Sequence, residues 1–143
     1  MATDSPVAPV VPDFFQALIE QAPDAMIFAD REGTIRLWNS RAQAIFGYAA
    51  SDAIGRSLDL IIPQHLRAPH WRGYRQAIVS GQTRLSGRPI VTRATHKDGS
   101  KLYVELAFGL LRDPQQGVLG AIATGRAASK PPSKRSSGPS PEG

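Results

Sequence analysis

Cysteine is absent from all 143 residues. That absence excludes disulfides, iron–sulfur clusters, thiolate-ligated haem, cysteine-based zinc sites and any thiol nucleophile. It also excludes photochemistry that runs through a cysteinyl–flavin bond. Methionine is nearly absent too, with only Met1 and Met26. No apolar run approaches the ~20 residues needed to cross a bilayer, and the N-terminus lacks a basic segment followed by an apolar one. A cytoplasmic protein without a membrane partner is therefore expected. No nucleophile–base pair, carboxylate dyad, phosphate loop or metal-chelating cluster stands out, so the expected role is not that of an enzyme.

Proline and glycine divide what remains. Residues 1–12 carry three prolines and no apolar periodicity, and read as a disordered lead-in. Residues 128–143 are rich in Ser, Pro, Lys and Arg, and read as a disordered basic tail. Between them, residues 13–127 are enough for one domain that buries roughly two-thirds of its unfolded surface. The net charge of +5 is unevenly spread. Arg67, Arg72, Arg75, Arg84, Arg88, Arg93, Lys97 and Lys101 face one nearby acid, Asp98. Such a stripe is a solvated face or meets an anionic ligand, and nucleic acid is the less expected partner.

Patterning within 13–127 predicts an α+β order. Asp13 is the expected N-cap of a helix over Phe14 to Gln21, with Phe14, Phe15, Leu18 and Ile19 on one side. Strands are expected over Ala25 to Asp30 and Thr34 to Trp38, joined by a turn at Arg31–Gly33. Asn39 is an N-cap for a helix over Ser40 to Phe46, closed by Gly47. Ser51 or Asp52 starts a further turn, and Leu58 to Ile62 forms an apolar cluster. A longer helix is expected over 69–80, starting at Pro69. Three strands follow, over Gly87 to Thr95, Lys101 to Leu111 and Val118 to Thr124, with turns at Lys97–Ser100 and Asp113–Gly117. The helices are expected to cover one face of a five-stranded antiparallel sheet.

On the 69–80 helix, His70 shares a stripe with Tyr74, Ala77 and Ile78, while Arg72, Arg75 and Gln76 fall elsewhere. An imidazole aimed at a core either has a buried hydrogen-bond partner or holds something. His65 is expected at the surface before the helix, and His96 in an exposed place by a hairpin turn. Trp38 is expected to be a packing anchor.

Several segments in order resemble the PAS domain. They are Ala-Pro-Asp-Ala-Met-Ile-Phe-Ala-Asp (22–30), Gly-Thr-Ile-Arg-Leu-Trp-Asn (33–39), Ala-Ile-Phe-Gly-Tyr (44–48), Ile-Gly-Arg-Ser-Leu (54–58), Lys-Asp-Gly-Ser (97–100) and Leu-Gly-Ala-Ile-Ala-Thr-Gly-Arg (119–126). PAS domains bind haem, flavin, small metabolites, partners or nothing, so this resemblance implies the fold before it implies a function. Two further blocks narrow it: Ala-Pro-His-Trp-Arg-Gly-Tyr (68–74) and Arg-Ala-Thr-His-Lys-Asp-Gly-Ser-Lys-Leu-Tyr-Val-Glu-Leu (93–106). The spacing from Pro63 to His70, with Tyr74 soon after and Gly87-Arg88 before the third strand, resembles the oxygen-sensing haem PAS domains of nitrogen-fixation kinases, and the two blocks are similar, more closely still, to carbon-monoxide-responsive haem PAS transcription regulators. In both groups the histidine on this helix is the proximal iron ligand, and His70 matches it. The resemblance thus implies haem b and a diatomic gas ligand (CO, O2 or NO). A homodimer is expected as well, and since no kinase, cyclase or DNA-binding domain follows in the sequence, output is expected to go to a partner in trans, unless the chain is a fragment of a longer sensor.

Physical requirements nominate the rest of the site. Haem needs an imidazole on an apolar wall, a slot of apolar side chains and cations near its propionates. His70 and Tyr74 come from the helix, with Leu58, Ile61, Ile62 and Leu66 as one wall. Val104, Leu106, Phe108 and Ile122 are nominated for the sheet side, and Arg67, Arg72, Arg75, Arg84 and Arg88 for the propionates. In the oxygen-sensing kinases a strand arginine senses the gas. Alignment on Gly-Arg nominates Arg88 for that place, while counting back from Asp98 nominates Ile90. The carbon-monoxide regulators use a methionine as sixth ligand, and neither methionine here lies in 85–111. An open or water-bound sixth position walled by Ile90, Leu106 and Phe108 is therefore expected. The alternatives are a cofactor-free PAS interaction module, with His70 bonded to a carbonyl or a tyrosine, and a non-covalent flavin site.

Overall fold

The structure is a computed structural model that describes residues 13–85 and 87–129. The sheet expected from patterning is present: five antiparallel strands in the order β2-β1-β5-β4-β3. These are β1 Ala25–Asp30, β2 Ile35–Trp38, β3 Ile90–Thr95, β4 Lys101–Asp113 and β5 Gly117–Ala128. The helices α1 Phe14–Glu20, α2 Ser40–Phe46, α3 Ala50–Ala53 and α4 Gln64–Ser80 complete the chain, with a 3₁₀ turn at Leu58–Leu60.

Alternation along the strands sorts the sheet into two faces. Ala25, Ile27 and Ala29 of β1 are buried, as are Val104 and Leu106 of β4. They join Ile35, Trp38, Ala42, Phe46, Ala53, Ile61 and Ala94 in a core that lies between the sheet and the short helices. On β5 the residues sharing this face are small: Ala121 pairs with Ala29, Ala123 with Ile27, and Gly125 with Ala25. Ile122, nominated above for the same wall, pairs with Phe28 and Gly109. It therefore belongs to the opposite face, one residue out of phase with Ala123.

Several boundaries differ from expectation for local reasons. Asp13 holds the expected N-cap position and its carbonyl accepts from the Ala17 amide (2.9 Å), but its backbone is left-handed (φ 58) and its side chain makes no capping bond. Phe14, Phe15 and Leu18 of α1 are exposed, so that apolar stripe does not reach this chain's core. The strand expected from Gly87 begins only at Ile90, after the positive φ of Gly87 and the missing donor of Pro89. The last strand is longer than expected, and its end pairs Ala128 with Tyr103. The lead-in at 1–12 and nearly all of the tail lie outside the described residues.

Helix α4 departs most. It starts at Gln64 and runs through Pro69, which costs the bond to the carbonyl four residues earlier. The turn before the proline is tied to the preceding loop by a side chain of the helix itself. Arg67 donates from Nε to the Ile62 carbonyl (2.9 Å) and from a terminal nitrogen to the Asp59 carbonyl (3.1 Å). The expected stripe survives: His70, Tyr74 and Ala77 are half-buried and Ile78 is buried, while Arg72, Arg75 and Gln76 are exposed. His65 is exposed within the helix, not ahead of it.

Candidate functional site

Helix α4 is anchored at two points that directly follow His70. Trp71 donates from its indole nitrogen to Asp59 Oδ1 at 2.8 Å. Its ring lies over Gly33, where a Cβ would collide with it. One turn further on, the Tyr74 hydroxyl reaches the last carbonyls of β1, 2.6 Å from Asp30 O and 3.1 Å from Ala29 O. Burial and the nearby Asp30 carboxylate push the Tyr74 phenol up to about 12, against a partial lowering by the Ala121 amide. Tyr74 is thus a neutral donor at neutral pH, tying α4 to the β1–β5 pair.

Beside these anchors His70 is held by rings. Its imidazole packs edge-on against Trp71 (centroids 4.6 Å apart) and tilted against Tyr74 (5.7 Å). Its Nδ1 is buried and has no hydrogen-bond partner. An orphaned polar atom of this kind costs about 1–3 kcal/mol, so it calls for an explanation. Burial pushes the imidazole below its ordinary value, and the Asp59 carboxylate offsets part of that effect. The ring is therefore kept neutral at pH 7, the form in which imidazole binds a metal. Neither Tyr74, whose hydroxyl is committed to β1, nor a carbonyl partners His70 Nδ1, as the cofactor-free alternative required.

The sheet-side residues form a second group. Ile90 pairs with Leu106 across β3 and β4, so the two share a face. Val104, Leu106 and Phe108 alternate along β4 on that same face, with Val104 and Leu106 buried and Phe108 half-buried against the core. Across from Leu106 and Phe108 stand Gly125 and Ala123, and the Leu106 side chain leans over Gly125, its Cδ2 2.8 Å from where a Cβ would stand.

Arg88 belongs to neither group. It precedes β3, is exposed, and its Nε lies 3.4 Å from the Leu85 carbonyl. Of the two residues nominated for the gas-facing place, the structure puts Ile90 on the helix-covered face and Arg88 outside it. Arg67 is spent on loop carbonyls, whereas Arg72 and Arg75 are exposed along α4. Met26 pairs with Thr124 between the buried Ala25 and Ile27, which puts it on the far face of the sheet.

The other singled-out residues are structural. Trp38 is buried and donates to the Tyr48 carbonyl at 2.8 Å. His96 is more enclosed than expected. It accepts at Nδ1 from the Asp98 amide (3.1 Å), and its ring fills the space beside Gly47. No group of three or more His, Asp or Glu side chains able to hold a metal ion occurs among the described residues. No helix among them is long and apolar enough to cross a membrane. Asp59 and Trp71 were not singled out from the sequence. Eleven positions separate Asp59 from His70 in the chain, a spacing with no periodic meaning, and only the fold brings them together.

These features can be compared with known proteins. The chain is 28% identical over 116 residues to the oxygen sensor protein DosP of Escherichia coli, covering 81% of this chain and 14% of that protein. It is 24% identical over 94 residues to the sensor protein FixL of Bradyrhizobium diazoefficiens, covering 66% of this chain and 19% of FixL. The chain thus spans less than a fifth of the length of either relative. Among solved structures, the PAS domain of a Colwellia psychrerythraea protein superposes with a TM-score of 0.69 at 19% identity, covering 80% of this chain and 94% of that one. The sequence model of the PAS fold family matches residues 13–127. The chain belongs to the PAS family, whose domains are sensory modules.

Proposed function

We propose that this PAS domain binds haem b through His70 and senses a diatomic gas, CO, O2 or NO. The observation that carries this reading is the half-buried, neutral imidazole of His70 on the inward stripe of α4, at the position where haem-binding PAS domains carry their proximal ligand. Ile90, Val104, Leu106 and Phe108 supply the apolar wall that such a group needs on the helix-covered side of the sheet. Arg72 and Arg75 are the cations of α4 free to meet propionates. A bound haem, held by His70, would supply an iron able to take up the gas. The chain's own residues orient the imidazole, exclude water and link α4 to β1 through Tyr74. DosP, an oxygen sensor by name, stands among the relatives and favours the same reading.

The domain passes its signal to a partner, with a homodimer as the working assembly and no catalysis by this domain. The exposed Phe14, Phe15 and Leu18 of α1 offer an apolar surface for either contact. That same surface favours the second reading, a cofactor-free interaction module.

Titration of the protein with hemin, followed by reduction and CO, separates the two. The sensor reading expects saturable binding with a Soret band that sharpens and shifts on adding CO. Met26→Leu should give the same spectra, because Met26 sits on the far face. Absence of saturable binding would leave the interaction module as the better reading.

A further inference from the structure

We propose that Asp59 is the positioning residue for His70: its carboxylate holds the imidazole with the proton on Nδ1 and leaves the Nε2 lone pair free for a metal. The inference rests on the haem reading for its purpose, but on this chain's own geometry for its content. Buried Nδ1 has no partner, and an imidazole nitrogen in that state needs an acceptor if it carries the proton.

Asp59 is placed to be that acceptor. Its backbone carbonyl is pinned by Arg67 (3.1 Å) and by the Ile62 amide (3.2 Å). Its amide is held by the Ser57 hydroxyl (3.0 Å). Its Oδ1 is fixed by the Trp71 indole at 2.8 Å, with the Arg67 Nε 3.8 Å away. The same indole packs edge-on against the His70 ring, so one side chain orders both the carboxylate and the imidazole. Oδ2 carries no bond in the structure, which leaves one oxygen for Nδ1–H once a side-chain rotation brings the two together. The Asp59 charge already acts on the imidazole, opposing the effect of burial.

The experiment is done on the protein without haem, so it does not depend on cofactor binding. Nitrogen-15 NMR of the His70 ring, at a pH where the ring is neutral, reports which nitrogen carries the proton. The expected result is a mainly Nδ1–H form in the wild type. It should shift in Asp59→Asn toward the Nε2–H form that a free histidine side chain prefers, and Asp59→Glu should restore it. Asparagine keeps an oxygen for the Trp71 indole, so an unchanged indole N–H resonance certifies that the fold is intact. A wild-type ring in the Nε2–H form overturns the proposal whatever the variants do. An unchanged tautomer in a folded Asp59→Asn protein overturns it as well. A missing Soret band, by contrast, sinks the haem reading and leaves the tautomer result standing.

Discussion

Asn39 is the most heavily used polar side chain in the core. It is 1% exposed and makes four bonds. Oδ1 accepts from the Met26 amide (2.9 Å) and the Ala42 amide (3.0 Å), and Nδ2 donates to the Ile19 carbonyl (2.8 Å) and the Asp24 carbonyl (3.0 Å). The helix-capping bond to Ala42 was legible from an Asn directly before a helical pattern. The other three were not, because they join segments distant in the chain. Asn39→Ala removes a cap and orphans buried backbone groups on α1 and β1, so chemical denaturation should show a loss of about 3 kcal/mol. A loss below about 1 kcal/mol would mean that the cap alone matters. His70 shows the opposite asymmetry. Its inward stripe was legible from helical spacing, while the orphaned nitrogen that makes it informative is a property of its surroundings.

Elements were legible where one local signal dominated. Strand β1 and helix α2 run over the expected residues because alternation and the Asn–Gly caps have no competitor there. Helix α4 was read as starting at Pro69, the usual meaning of proline. In the fold, Arg67 and Trp71 tie the helix to the preceding loop, and tertiary contacts outweigh the lost bond. The β4–β5 pairing carries a similar lesson in its glycines. A Cβ at Gly125 would run into the Glu105 carbonyl and approach Leu106 Cδ2, whereas one at Gly109 would meet nothing nearby. Gly125→Ala should therefore cost about 1–3 kcal/mol by forcing the two strands apart. Gly109→Ala should be near neutral in the same thermal melt. Equal melting temperatures for the two variants would contradict this pairing geometry.

At the scale of the whole molecule, the antiparallel α+β order was readable, because strand alternation and turn chemistry are local and repeat along the chain. The candidate site was readable only in part. His70, Tyr74, Ile90, Val104, Leu106 and Phe108 fall on α4 and on the helix-covered face of the sheet. Arg88 falls outside, since a glycine and a proline delay β3, and Ile122 falls on the wrong face by one residue of phase. Asp59 and Trp71 escaped notice because their value lies in a contact between a loop and a helix. The central claim is that His70 holds an iron, and the visible spectrum of protein produced with haem available tests it most directly. The account predicts a strong Soret band in the wild type that is lost in His70→Ala. A colourless wild type, or a His70→Ala protein with the wild-type spectrum, would contradict it.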